Sequence, residues 1–298
     1  MVVQLTEAEI AKVLNYETLI PAMEKALASF SVGKAIQPVR SVLTIEEGQR
    51  YLYVMPAVTE DGMGAKLVTL YPKNAGTEFP THMATITLFD TNTGAPLASM
   101  DATLITEMRT AAVSAAVTKY LAPDNSKILT LLSSGVQAQA HLEALRHVCH
   151  FNEVRVWSRT PEHAKHFAER NGIKAMELEA ATRGADVAMI ATNSTEPILK
   201  GAWLKEGAHV NTVGAPRPNW RELDDAAMHN TLIVDSREAC LKESGDVMHS
   251  GATIFAEAGE VFAGIKRPSR SETTIFKSVG LAVEDIATAR LVYDAIKG

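Results

Sequence analysis

Four side chains in this 298-residue chain place charge where charge is costly or where it could grip an anion. Lys66 interrupts the apolar run Ala65-Lys66-Leu67-Val68. A lysine held out of water loses proton affinity and works as an acid or base near neutral pH; strand alternation equally permits a sheet-edge lysine facing water. Arg109 stands among small residues in Met108-Arg109-Thr110-Ala111-Ala112, where a guanidinium requires an anionic partner. A substrate carboxylate or a cofactor phosphate would serve, and so would an internal carboxylate such as Asp101. Arg40 ends Gln37-Pro38-Val39-Arg40 at the start of a predicted strand. On rigid structure an arginine binds a carboxylate through two parallel hydrogen bonds, or else lays its stem across the sheet. His82 precedes the run MATITLF, where a structural histidine and a proton donor are both open readings.

A second chemistry is written into the run ILTLL-SSGVQAQAHLEAL. Dinucleotide-binding turns use G-x-G-x-x-G/A so that backbone N–H groups reach a pyrophosphate at a helix N-terminus. Gly135 takes the second glycine position and Ala138 the small third one, while Ser133 replaces the first glycine. An ordinary strand-to-helix turn would look much the same. The next strand ends Val156-Trp157-Ser158-Arg159-Thr160, with no acid before Pro161. An acid at that place would hold the ribose hydroxyls of NAD. Arg159, helped by Ser158 and Thr160, suits a 2′-phosphate, so NADP is favoured over NAD; a surface arginine and a helix-capping threonine are the plain alternative.

The elements that must position these groups change period along the chain. The first thirty residues read as helical, with Thr6 as a cap. Residues 36–100 alternate with period two in VRSVLTI, YLYVMPAV, MGAKLVTLY and MATITLF, with TNTG joining the last hairpin, and predict a mostly antiparallel sheet. TLITEMRTAAVSAAVTKYL predicts one helix over 103–121, and Pro123 marks the best boundary. Beyond it, ILTLL, VRVWS, VAMIAT, HVNTVG and LIVDS alternate with helical stretches, the pattern of a parallel sheet. A last strand and a helix striped at Leu281, Ile286, Ala289, Val292 and Ile296 end the sequence. The predicted fold is α/β: a Rossmann-type parallel-sheet nucleotide domain (122–279) plus a mixed α+β substrate and dimerisation domain (1–121, with 280–298 returning).

Composition excludes other classes. With 46% hydrophobic and 21% charged residues the chain has material for a core, and a net charge of −6 argues against a nucleic-acid partner. No apolar run reaches the ~18 residues of a membrane span. Two cysteines, Cys149 and Cys240, suit a reducing compartment, so a cytoplasmic location is expected. His147, Cys149, His150, His163 and His166 match no zinc spacing, and no metal is expected.

Ten blocks carry a family resemblance: QPVRSVL, AKLVTLY, PTHMATITLFD, MRTAAVSAAVTKYL, SSGVQAQAH, VRVWSRT, STEPIL, GAPRPNWRELDD, ACLKESGDV and TIFKSVGLAVED. Together and in unbroken order they resemble the ornithine cyclodeaminase/mu-crystallin family, leaning to its mu-crystallin branch. The resemblance implies a homodimer whose first domain holds the substrate and whose second holds the cofactor. It puts Arg40 on the substrate carboxylate, Lys66 and Arg109 in the active site, and His82 near the substrate as a proton donor. Glu243 becomes a partner of Lys66 or Arg40, Thr110 lies near the cofactor phosphates, and Val213-Gly214 with Ser278-Val279 surround the nicotinamide. The cofactor set assigned is Thr110, Ser134, Gly135, Val136, Gln137, Ser158, Arg159, Thr160, Thr192, Val213, Gly214, Ser278 and Val279. Cyclodeaminases of the family carry an Asp just after the turn at 213–215, where this chain has Pro216. That substitution removes the acid, disfavours cyclodeamination and places Pro216 in the substrate pocket.

The function expected is NADPH-dependent reduction of cyclic ketimines bearing a 2-carboxylate, such as piperideine-2-carboxylate and pyrroline-2-carboxylate, with NADH a weaker cofactor. An amino-acid dehydrogenase or reductive aminase acting on keto acids and amines is the first alternative. A non-catalytic protein of the thyroid-hormone-binding or lens-crystallin kind is the second, and the retained Arg40, Lys66 and Arg109 argue against it.

Overall fold

The computed structural model describes residues 2–298. Contacts divide the chain into two compact units: one runs to Arg109 and takes back Leu281–Gly298, and the other is Thr110–Gly280.

In the first unit β1 (Val3–Leu5), α1 (Glu7–Ile10) and α2 (Tyr16–Ser31) precede five strands. These are β2 (Ser41–Glu46), β3 (Arg50–Val58), β4 (Met63–Leu70), β5 (His82–Phe89) and β6 (Pro96–Asp101). The sheet order is β1-β6-β5-β4-β3-β2. Strands β2 to β6 pair antiparallel, as their alternation predicts, and β1 joins parallel to β6. The stretch read as wholly helical therefore opens with a strand, fixed by pairing with Ala98–Met100, a partner that a local pattern cannot show. Thr6 does cap the helix that follows, its amide and hydroxyl both donating to the Glu9 carboxylate.

Helix α3 (Thr103–Leu121) forms over the residues expected. The line between the units falls inside it, after Arg109, rather than at Pro123. The physical reason is that its later turns pack into the second unit. Ala111, Ala112, Ala115 and Ala116 are buried, Ser114 bonds the His141 ring at 2.9 Å, and Asn211 donates to Thr118 at 2.9 Å.

The second unit alternates strand and helix. Its first half is β7 (Ile128–Leu132), α4 (Val136–Arg146), β8 (Glu153–Trp157), α5 (Pro161–Asn171), β9 (Lys174–Ala175), α6 (Leu178–Thr182) and β10 (Val187–Ile190). Its second half is β11 (His209–Thr212), α7 (Asp225–Met228), β12 (Thr231–Val234), α8 (Arg237–Glu243), α9 (Gly245–Ser250), β13 (Ile254–Glu257), α10 (Ala258–Phe262) and β14 (Thr274–Lys277). Eight parallel strands lie in the order β13-β12-β14-β11-β10-β7-β8-β9. Strands β10, β11 and β14 are buried along their whole length, as expected of a sheet covered on both faces.

Helix α11 (Ala282–Lys297) belongs to the first unit and packs on β3, β4, β5 and α2. Leu281, Ile286, Ala289 and Val292 of the predicted stripe are buried; Ile296 is exposed. Close approach is possible because Gly64 of β4 has no side chain: a Cβ there would lie 2.3 Å from the Thr87 carbonyl oxygen and 2.8 Å from Ile286. Among the described residues, no helix is long and apolar enough to cross a membrane.

Candidate active site

Lys66 sits in an interior strand, between Met55 on β3 and Ile86 on β5, and is 2% exposed. A sheet-edge lysine facing water is thereby excluded. Its ammonium pairs with Asp285 Oδ2 at 2.6 Å. Arg109, also buried, donates from Nε to Asp285 Oδ1 at 3.0 Å and from Nη1 to Glu284 Oε2 at 2.6 Å. The anion that Arg109 requires is therefore internal, but it is this carboxylate pair and not Asp101, which instead accepts the Thr103 amide at the start of α3. Both acids occupy the first turn of α11, at the positive end of the helix dipole. Gln37 steadies that turn by accepting the Val283 amide at 2.8 Å.

Charge and burial together set the acidity of this cluster. Burial pulls the Lys66 pKa down most, Asp285 opposes it, and the positive charges of Arg109 and Arg40 lower it further, to about 8. Arg109 is pulled down by burial, yet Asp285 and Glu284 hold it above its ordinary value. Lys66 and Arg109 face two buried carboxylates, and the charge of Arg40 is close enough to act on the Lys66 ammonium. Arg40 is half-buried just before β2. The two recorded bonds of Arg109 use Nε and Nη1, so Nη2 takes no part in them.

The remaining expected substrate residues belong to other elements of the two units. His82 opens β5 on the same sheet face as Lys66, and its ring reaches solvent in the single chain. Burial, then the charges of Lys66 and Arg109, hold its pKa below the ordinary imidazole value. Glu243 ends α8 in the second unit. Pro216 is exposed in the segment after β11. A cavity of about 440 Å³ lies elsewhere in the first unit, between α2, the 59–61 turn and α11. Its charges already pair, Lys25 with Asp61 and Arg290 with Asp294, and no expected site residue lines it.

In the second unit the strand register gathers most of the expected cofactor residues. Trp157, Leu132, Ile190, Thr212, Lys277 and Val234 form one continuous cross-strand row. Every expected cofactor residue in this unit except Thr110 follows directly on that row. Ser134, Gly135, Val136 and Gln137 leave β7, and Ser158, Arg159 and Thr160 leave β8 beside them. Thr192 leaves β10, Val213 and Gly214 leave β11, and Ser278 and Val279 leave β14. Thr110 stands apart on α3. The strand order reverses between β7 and β10, and ligands of open parallel sheets bind outside the carboxyl ends at such a reversal.

These residues fit a dinucleotide. Gly135 caps α4, whose first N–H groups have no carbonyl behind them. A Cβ at Gly135 would meet only the Ser133 hydroxyl, at 3.8 Å, so the approach is open. Ser133 itself replaces the lost glycine usefully, its hydroxyl accepting the Gly135 amide at 3.4 Å. Ala138 is fully buried, the close helix-to-sheet contact that the third small residue serves.

Four buried groups beneath the row escaped the sequence reading. Asp235, after β12, accepts from the Ser278 hydroxyl and from the amides of Val279 and Gly280 at 2.7–2.8 Å. Glu222 accepts from the Thr192 amide and hydroxyl and, at 2.7 Å, from Thr212. Asp246 and Lys277 form a fully buried pair at 2.9 Å. A signal existed for two of them: Lys277 ends an apolar strand and Asp235 follows one.

Comparison with known proteins agrees with this geometry. The model of the family described as "Ornithine cyclodeaminase/mu-crystallin family" matches residues 1–298. Ketimine reductase mu-crystallin of Mus musculus is 50% identical over 286 residues, covering 93% of this chain and 91% of that protein. The structure of Thermococcus litoralis Δ1-pyrroline-2-carboxylate reductase in complex with NADH and L-proline superposes with a TM-score of 0.92 at 38% identity, covering 99% of this chain and 97% of the other. An archaeal alanine dehydrogenase dimer with bound NAD gives a TM-score of 0.93 at 35% identity, covering 99% and 96%. The chain belongs to the ornithine cyclodeaminase/mu-crystallin family.

Proposed function

We propose that this protein reduces cyclic ketimines bearing a 2-carboxylate to cyclic amino acids with a nicotinamide cofactor, NADPH in preference to NADH. The observation that carries this reading is the buried Lys66, paired with Asp285 and close to the positive charges of Arg109 and Arg40. The similar reductases from mouse and Thermococcus litoralis, the latter holding NADH and L-proline, support it.

Arg40 anchors the substrate carboxylate, with Nη2 of Arg109 as a second donor; Nε and Nη1 of Arg109 stay on the α11 carboxylates. The bound cofactor supplies a hydride to the imine carbon. Lys66 donates the proton that the ring nitrogen gains, so that one C=N bond becomes CH–NH, and Asp285 keeps its ammonium aimed. His82, exposed at the start of β5, relays a replacement proton. Fixed geometry does much of the work, because an anchored acid group presents one face of the ring to the hydride.

Gly135 with Val136 and Gln137 receives the pyrophosphate, and Arg159 with Ser158 and Thr160 receives the 2′-phosphate. No carboxylate follows β8 before Pro161, and this favours NADPH. The first unit also bears an apolar sheet face suited to a second copy of the chain: Leu43, Leu67 and Met83, on the side opposite Lys66, are exposed. The dimeric state of the archaeal neighbour supports a homodimer.

A steady-state screen tests the reading. Piperideine-2-carboxylate and pyrroline-2-carboxylate are expected to give at least tenfold higher kcat/KM than pyruvate with ammonium or methylamine, and NADPH to outperform NADH. Faster turnover of pyruvate with ammonium moves the protein to the amino-acid dehydrogenases, which the resemblance to alanine dehydrogenase allows.

A further inference from the structure

Three strand ends of the second unit are wired together by buried charges that none of the steps above uses. Lys277, at the end of β14, donates to the Gly214 carbonyl and lies 2.9 Å from Asp246 Oδ2 and 3.8 Å from Glu222 Oε2. All three side chains are fully buried. Glu222 reaches across to β10 and β11, accepting from Thr192 and Thr212, and Asp246 Oδ1 holds the amides of Glu222 and Leu223 at 2.8 and 3.0 Å. One ammonium against two carboxylates is expensive to bury and persists only with donors on every side.

The backbone above this network is strained. Ala215 has φ +51°, the one positive-φ residue other than glycine among those described, and is buried. A Cβ on Gly214 would lie 2.3 Å from Glu222 Oε1 and from the Thr192 amide nitrogen and carbonyl oxygen. The Ala215 amide donates to that same Thr192 oxygen at 2.9 Å. A conformation of this kind survives only where its surroundings over-determine it. Here the determinants are Lys277 on the Gly214 carbonyl and Glu222 on Thr192.

We propose that Lys277, held by Glu222 and Asp246, is a positioning residue for the nicotinamide half of the cofactor, fixing the Val213-Gly214-Ala215 turn against which that ring is oriented. The inference rests on the reading that this turn borders the nicotinamide. Strands β11 and β14 stand two and three places from β7, roughly 10–15 Å at ~4.8 Å per strand. The adenosine half, received at β7 and β8, is therefore far enough away to be probed separately.

The experiment compares NADPH with 2′-phospho-ADP-ribose, which lacks the nicotinamide, by equilibrium titration on the full chain, and reads the emission of bound NADPH. Lys277→Met is expected to weaken NADPH roughly tenfold and to remove the emission shift, with 2′-phospho-ADP-ribose within twofold of wild type. Should Lys277→Met fail to fold, Glu222→Gln, which keeps size and an acceptor for Thr192, is read by the same comparison and the same expectation. Equal weakening of both ligands, or no weakening of either, overturns the inference. Wild-type protein that binds neither ligand overturns the cofactor reading itself, and the inference with it.

Discussion

At the scale of the residue, the account turns on one amine. Lys66 owes its depressed pKa first to burial, and Asp285 prevents a deeper fall, leaving it at about 8. The unfolded chain binds that proton more tightly than the folded one. The contribution of this group to stability therefore rises with pH between about 8 and the ordinary lysine value of 10.5. Catalysis has the opposite slope, because the protonated form is the proposed donor: kcat/KM is expected to fall as pH rises through 8. Lys66→Met should lower kcat by roughly 10²–10⁴-fold and abolish that break. A break near pH 8 that persists in Lys66→Met assigns the titration to the substrate or to another group. Lys66 and Arg109 stood out in the sequence because charge amid apolar or small residues needs an explanation, whereas Arg40 took its expected role from the family resemblance. Their carboxylate partners were not. Acids in the first turn of a helix are ordinary, and Asp285 shows itself only on noticing that it continues the stripe of Leu281, Ala289, Val292 and Ile296 at helical spacing.

At the scale of the element, long periodic segments and short, largely apolar runs were readable, and other short strands were not. The alternation of β2 to β6 and the helix at 103–121 follow from local pattern. Strands β1, β9 and β13 span two to four residues, and only their partners across a sheet make them strands. The same limit explains the boundary. Pro123 marks a local break, whereas the division after Arg109 reflects where Ser114 and Thr118 find their hydrogen bonds. The expected cofactor residues came piecemeal, some from single turns and some from the family resemblance. Register places their loops together, since Trp157, Leu132, Ile190, Thr212 and Lys277 stop at one level and release their loops on one edge. Polar groups buried below that edge are invisible to pattern because Glu222 and Asp246 lie in irregular or short segments, where acids normally meet water.

At the scale of the whole molecule, the first unit leaves a sheet face bare that the proposed dimer would cover. Wild-type protein is expected to sediment at twice the mass of the chain, and Leu67→Glu, placed in the middle of that face, at the mass of one chain. A monomeric wild type removes the dimer from the account. Division of labour between the units is the larger claim, with the acid group of the substrate held by the first and the cofactor by the second. It is tested most directly by steady-state kinetics of Arg40→Ala with piperideine-2-carboxylate and NADPH. The KM for the imine should rise roughly 10–100-fold, the range expected for losing a charge-assisted pair, and the KM for NADPH should stay within threefold. An unchanged KM for the imine would contradict the account at its centre.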